Sequence, residues 1–318
     1  RESIIDSCLL ILHDYSNFVT CNPEEIDAER GVILEEKRQR SDASWRMFEK
    51  SLPYLYGDTH YARRTLIGGE EQLKTFKYES LTNFYKKWYQ PHNQAVIVVG
   101  DVDVDKVEQK IKDLFGSIPA AEVAVKNEPA LPANAEPIVG IITDPEAQNS
   151  RIDILWKHDP IPVQFQNTDV AYMNDLLLSI ISNIMDERFN DIAAAPNAPF
   201  FAAGLFTRDL CNACEAYNAA VLFKDGASVE AFTALMTEIE KMKRFGFNDG
   251  EVQRAKDNII GAYEKAVEAA PTRKNSELVR PLLYNFFENE AYMTPETELQ
   301  IVQAICAQIN AQVLNQVV

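Results

Sequence analysis

The feature that most constrains this chain is an ungapped internal repeat. The segment from Glu2 to Glu36 lies on the segment from Ser228 to Ala262 with one constant offset, 228 − 2 and 262 − 36 both being 226. Leu9 falls on Leu235, Asn22 on Asn248, Glu25 on Glu251, Ile26 on Val252, Arg30 on Lys256 and Ile33 on Ile259. Matching apolar positions alone carry little, because any two amphipathic helices share them. The same N-cap at the same place, after a first helix of the same length, is a stronger coincidence. With an offset of 233 the register returns near the end, where Ile309, Leu314 and Val317 fall on Phe76, Leu81 and Phe84. The chain is therefore expected to hold two copies of one unit.

The repeat also predicts what each copy lacks. Copy two holds 90 residues (228 − 138) ahead of its shared helix pair, whereas copy one holds a single residue there. Copy one continues past the pair into Ala95–Val99 and Val104–Phe115, whereas copy two stops at Val318. Both copies are expected to be incomplete, the chain starting and stopping inside a longer protein. The N-terminus fits that expectation: Arg1-Glu2-Ser3 runs directly into an amphipathic pattern with no initiator Met and no leader.

Local signals fill in the elements. Ile4, Ile5, Leu9 and Leu12 recur at helical spacing, and Asn22-Pro23-Glu24-Glu25 supplies a cap, a first-position proline and first-turn acids for a second helix expected to reach about Leu52. A loop is expected over 56–69, a helix over 78–89, a buried strand over 95–99 and a helix over 104–115. Prolines at 119, 129, 132 and 137, without periodicity, predict a linker over 120–137 between domains 1–119 and 138–318. Strands are expected at 138–143, 151–156, 200–208 and 216–223, with helices at 168–191, 228–244, 249–269 and 272–289.

Charge and composition exclude several functions. The chain of 318 residues carries 48 acidic against 31 basic residues, a net charge of −17. A phosphate backbone would be repelled across most of its surface, and the pairs Arg63-Arg64 and Lys86-Lys87 fall far short of a tracking groove, so no nucleic-acid partner is expected. No apolar run approaches the roughly 20 residues of a membrane span, so a soluble chain is expected, in the cytoplasm or a periplasm-like space. Five cysteines do not make a disulfide framework. Cys211-Asn212-Ala213-Cys214 has redox or zinc-pair spacing, but its flanks read as strand, where residues three apart point to opposite faces, and no second pair completes a four-sulfur site. A structural or incidental role is expected for both sulfurs.

The chemistry enters where the copies differ. Glu29 and Glu36 in copy one stand opposite Ala255 and Ala262 in copy two. Seven residues at 100° per residue come to 700°, which puts the two carboxylates within about 20° on one helix face. Val32 and Ile33 share that face, so the acids belong to a partly apolar stripe where a cation or hydrogen-bond network would be needed. The alternative is that both are solvated, Glu36 pairing with Arg40 one turn on.

The run Pro23-Glu24-Glu25-Ile26-Asp27-Ala28-Glu29-Arg30-Gly31-Val32-Ile33-Leu34-Glu35-Glu36 closely resembles the second signature of the pitrilysin/insulinase family of zinc peptidases, which includes the mitochondrial processing peptidases. The likeness extends through Leu52-Pro53, Tyr61-Ala62-Arg63-Arg64, Ile67-Gly68-Gly69-Glu70-Glu71, the run Phe84 to Pro91, and Val98-Val99-Gly100-Asp101, and more loosely into copy two. The resemblance implies an α+β fold, a tandem repeat of two similar α/β domains, each an antiparallel sheet covered by helices, of which only the first carries the metal. It implies that 1–119 is the active-type domain and 138–318 its inactive companion. By motif position Glu36 resembles the third zinc ligand, and Glu29 the acid that supports the site. The other ligands of that family come from an inverted H-x-x-E-H helix. In this sequence His13, His60, His92 and His158 are the only histidines, and none stands in that motif. His13, at a helical apolar position, reads as a core or boundary residue, and His92, beside Pro91, as a turn residue.

The resemblance implies a zinc-dependent endopeptidase that uses metal-activated water, acts on peptide or unfolded protein, and works with a second lobe or subunit of the same fold. This portion by itself is expected to be inactive and to bind zinc weakly, one carboxylate being no substitute for three ligands. Two alternatives are a non-catalytic scaffold of the same fold and an acidic helical binding module.

Overall fold

A computed structural model describes residues 2–318. It divides into two compact units, one ending at Pro145 and one spanning Glu146–Val318.

The first unit is helical: α1 (Glu2–Asn17), α2 (Pro23–Arg40), α3 (Ala43–Tyr56), the short α4 (His60–Arg63) and α5 (Glu70–Thr75), α6 (Tyr78–Trp88) and α7 (Val104–Phe115). Instead of one helix from Asn22 to about Leu52, the chain breaks at Ser41-Asp42. Asp42 lies in extended backbone and its carboxylate accepts the Trp45 N–H at 2.8 Å, which gives α3 an N-cap of its own. α3 ends at Gly57, whose φ of 57° is cheap only for glycine. Leu9, Ile26, Leu52, Tyr56, Val107 and Ile118 form the buried apolar positions. Polar tethers hold the rest. Arg30 donates to the carbonyls of Leu73 and Phe76, its guanidinium lying 3.9 Å from the Phe76 ring centroid, and Lys37 donates to the carbonyl of Gly68 at 2.9 Å.

Two expected strands are not formed. Residues 95–99 and 138–143 belong to no sheet, and Ala95, Val98, Ile138, Val139 and Ile141 are exposed. A strand is stable only when its N–H and C=O groups find a ladder, and among the described residues this unit provides no partner strand. The segment near 143 is instead strapped to α3. Arg46 makes a two-pronged contact with Asp144 at 2.7 and 2.8 Å, Lys50 donates to the carbonyl of Thr143, and the Asp144 side chain is buried.

The second unit has mixed architecture: β1 (Ser150–His158), α8 (Asp169–Ala193), β2 (Ala202–Cys211), β3 (Cys214–Phe223), α9 (Ser228–Phe245), α10 (Asp249–Ala269), α11 (Asn275–Glu288), α12 (Pro295–Cys306) and α13 (Ala311–Leu314). The strands form an antiparallel sheet in the order β1-β3-β2. Alternation decides its core face: Ala219, Val221 and Phe223 of β3, flanked by Ile152, Ile154, Ala203 and Leu205, join one apolar cluster with the helices. α8 adds Ile180, Ile184, Met185 and Phe189, α9 adds Leu235, α10 adds Val252 and Ala255, and α12 adds Val302, all almost fully buried. Thr168 caps α8, and Asn248 caps α10 in a reciprocal box with Glu251.

Candidate functional site

α2 positions both carboxylates singled out from the sequence. It is one unbroken helix, so Glu29 and Glu36 share a face two turns apart. Glu29 is exposed, as is Val32 between them. Glu36 is half-buried and pairs with Arg40 at 2.6 Å, the solvated arrangement that the sequence also allowed.

Glu36 lies at the edge of an open cavity of ≈ 620 Å³. Ile33 of α2, Trp45, Phe48, Leu52 and Tyr56 of α3, and Tyr61 beyond them supply an apolar and aromatic wall, while Lys37, Arg40 and Arg64 supply cations. Lys37 holds one wall in place by donating to Gly68 at the turn before α5 and approaching Glu49 at 3.8 Å. A cavity of this size, apolar and aromatic on one side with a few polar groups on the other, falls in the range of ligand-binding pockets. Sequence reasoning missed it. The signal was available, because Trp45, Phe48, Leu52 and Tyr56 recur at helical spacing along one stripe of α3, but such a stripe reads equally as core.

The donors present do not make a zinc site. Among the described residues no group of three His, Cys, Asp or Glu side chains converges to hold a metal ion. Glu36 is engaged by Arg40. His13 is a boundary residue, stacked on Phe18 at 4.4 Å and edge-on to Phe115 at 5.6 Å. His60 packs against Tyr61, and His92 sits in a 3-10 turn (Pro91–Asn93), as its neighbours predicted. His158 ends β1.

In the second unit the position equivalent to Glu29 is fully buried: Ala255 lies in the core on α10, which packs against α8, with Arg254 reaching Glu187 of α8 at 3.2 Å. The first unit contains no counterpart of α8 among its described residues, and its α2 face is open.

A second polar group stands at the end of the sheet. Asp209, Glu215 and His158 are register partners across β2, β3 and β1, with His158 Nδ1 4.0 Å from Glu215. Burial pushes the Glu215 carboxyl up; Asp209 and Asp175 push it further, against the opposing pull of His158.

The sequence profile of the family described as Peptidase M16 inactive domain matches residues 75–259. The chain is 26% identical over 317 residues to "Probable zinc protease PqqL" of Escherichia coli K12, covering 99% of this chain and 34% of that protein. The crystal structure of the periplasmic protease PqqL from Escherichia coli superposes with a TM-score of 0.87 at 26% identity, over 99% of this chain and 35% of that one. The crystal structure of the first half of the same protease gives 0.86 at 26% identity, over 99% of this chain and 67% of that one. The chain thus spans about a third of the length of the curated relative it matches. No described helix is long and apolar enough to cross a membrane.

Proposed function

The chain belongs to the peptidase M16 inactive-domain family, and from that premise we propose that it works as part of a zinc-dependent endopeptidase. It would supply one metal ligand and a peptide-binding wall rather than a complete catalytic centre. Its relatives are named zinc proteases, which supports zinc as the metal of the complete protein. In this reading Glu36 is the third zinc ligand, Glu29 the supporting acid, and the aromatic cavity beside Glu36 receives an apolar side chain of a peptide or unfolded protein.

The observation that carries the proposal is the contrast between Ala255 and Glu29. One is buried in the core on a helix that packs against α8, and the other stands exposed on a matching helix whose face also bears Glu36. An apolar stripe studded with carboxylates is costly to bury unless a cation compensates them. In the complete protein a counterpart of α8 would cover α2 and bring the remaining ligands to Glu36, releasing it from Arg40. The tandem organisation, domains 1–119 and 138–318 joined through 120–137, belongs to the same proposal. A second half of the same fold would close the cleft, and the periplasmic location of the PqqL relative favours that compartment.

The experiment is Glu36→Gln in the complete protein, read by metal content and by hydrolysis of an unstructured peptide. Loss of stoichiometric zinc together with hydrolysis supports the assignment. Retention of both overturns it. If the unsubstituted complete protein itself holds no zinc and cleaves nothing, the scaffold reading replaces the enzyme; the inactive-type family profile and the Glu36–Arg40 pair favour that second reading.

A further inference from the structure

The Cys211-Asn212-Ala213-Cys214 segment is neither a strand interior nor the start of a helix. It is the tip of the β2–β3 hairpin, and Cys211 and Cys214 are register partners directly across it. The expectation that residues three apart face opposite ways fails here for two reasons. The chain reverses between them, and the register shifts between Asp209 and Cys211, which makes Leu210 an extra residue in β2. Asp209 remains opposite Glu215, while the bulge turns Cys211 onto the face of Cys214. Leu210 is buried, which anchors the bulge. Both thiols are free, Cys214 buried and Cys211 partly exposed.

We propose that Cys211 and Cys214 form a redox-modification site, a dithiol that a small-molecule disulfide converts into an intrachain disulfide closing the β2–β3 hairpin. Directly opposed residues of an antiparallel pair hold their Cβ atoms about 4.5–5.5 Å apart. A disulfide needs about 3.5–4.5 Å, so closure asks for a small approach at a hairpin tip. Tight two-residue hairpins favour turns with positive φ, yet among the described non-glycine residues only Cys21 and Asn289 have positive φ, so neither Asn212 nor Ala213 adopts it. The link would close a hairpin whose turn lacks the positive-φ conformation that tight two-residue hairpins favour. A metal is not the alternative occupant, because no third donor joins the two sulfurs among the described residues.

The exchange balances with oxidised glutathione as oxidant. The more accessible Cys211 thiolate attacks one sulfur of glutathione disulfide, and one glutathione thiolate leaves. Cys214 then attacks the Cys211 sulfur of the mixed disulfide and expels the second glutathione. Two protein thiols are oxidised, one disulfide is reduced, and the two protons end on the two glutathione thiols. Burial, with the neighbouring Cys211 sulfur, pushes the Cys214 thiol up, and the thiol contacts the Glu215 carbonyl at 3.3 Å. That order of attack follows from the difference in exposure.

The test equilibrates the folded chain with mixtures of reduced and oxidised glutathione, blocks remaining thiols, and maps the tryptic peptide Asp209–Lys224, which contains both sulfurs. The expected product is that peptide lighter by two hydrogens and unalkylated, with an equilibrium constant for closure roughly tenfold or more above that of the urea-unfolded chain. Cys214→Ser is expected to trap glutathione on Cys211. A peptide that stays doubly alkylated, a wild-type adduct that stops at one glutathione, or equal constants in folded and unfolded chain would each overturn the proposal.

Discussion

The Lys256 ammonium donates to the backbone carbonyl of Ile309 at 2.8 Å. Subtracting the two repeat offsets turns this pair into Arg30 (256 − 226) and Phe76 (309 − 233), and Arg30 Nη2 donates to the carbonyl of Phe76 at 2.6 Å. A long cation on the second helix of the pair satisfies an equivalent carbonyl in each unit. This supports the proposed tandem organisation more directly than shared apolar positions do.

Lys256→Met should therefore cost about 1–3 kcal/mol of stability, because the Ile309 carbonyl loses its donor in a partly buried setting. Arg30→Met should cost at least as much in its own unit, since Arg30 serves the Leu73 and Phe76 carbonyls and lies over the Phe76 ring. Urea unfolding followed by far-UV circular dichroism measures both. A change below a few tenths of a kcal/mol in either variant would show the tether to be incidental.

The two N-caps share a position and differ in chemistry. Asn248 accepts the Glu251 N–H at 3.0 Å, and Glu251 in turn accepts the Asn248 N–H at 2.9 Å. Asn22 makes no side-chain cap bond. Asn248→Ala should thus destabilise by about 1 kcal/mol, whereas Asn22→Ala should be near neutral. Equal losses in thermal melts would refute the distinction.

Glu215→Gln should raise stability at neutral pH. The folded-state carboxyl titrates above its ordinary value of 4.5, so between the two values the folded state binds more protons than the unfolded one. Stability then falls as pH rises through that window, and above it the ionised Glu215 is a net penalty. The advantage of the glutamine variant should shrink toward pH 4. Melting temperatures across pH 4–8 give the answer, an advantage independent of pH being the contrary result.

Zinc added to this chain alone should bind weakly, because among the described residues no group of three donors converges and Glu36 is paired with Arg40. Isothermal titration is the measurement. One tightly bound zinc per chain would mean that donors within residues 1–318 rearrange into a site that the folded arrangement does not contain.

Much of this molecule is governed by information local to the chain. Apolar period, cap residues and proline positions placed α6, α7, α8, α9 and α10 within a few residues of where they form, because each depends on bonds between residues three or four apart. The strands at 150–158, 202–211 and 214–223 were legible by the same alternation. Three matters were not local. Ala95–Val99 carries a strand composition yet forms none, because a ladder needs a partner that no local pattern supplies. Cys211 and Cys214 face one another only because the hairpin and the Leu210 bulge place them so. The carboxylates of Glu29 and Glu36 were located to one helix face by arithmetic, but whether that face meets solvent, a cation or a covering helix depends on what packs against α2. Periodicity determines which side chains share a face, whereas the pairing of distant segments decides what that face touches.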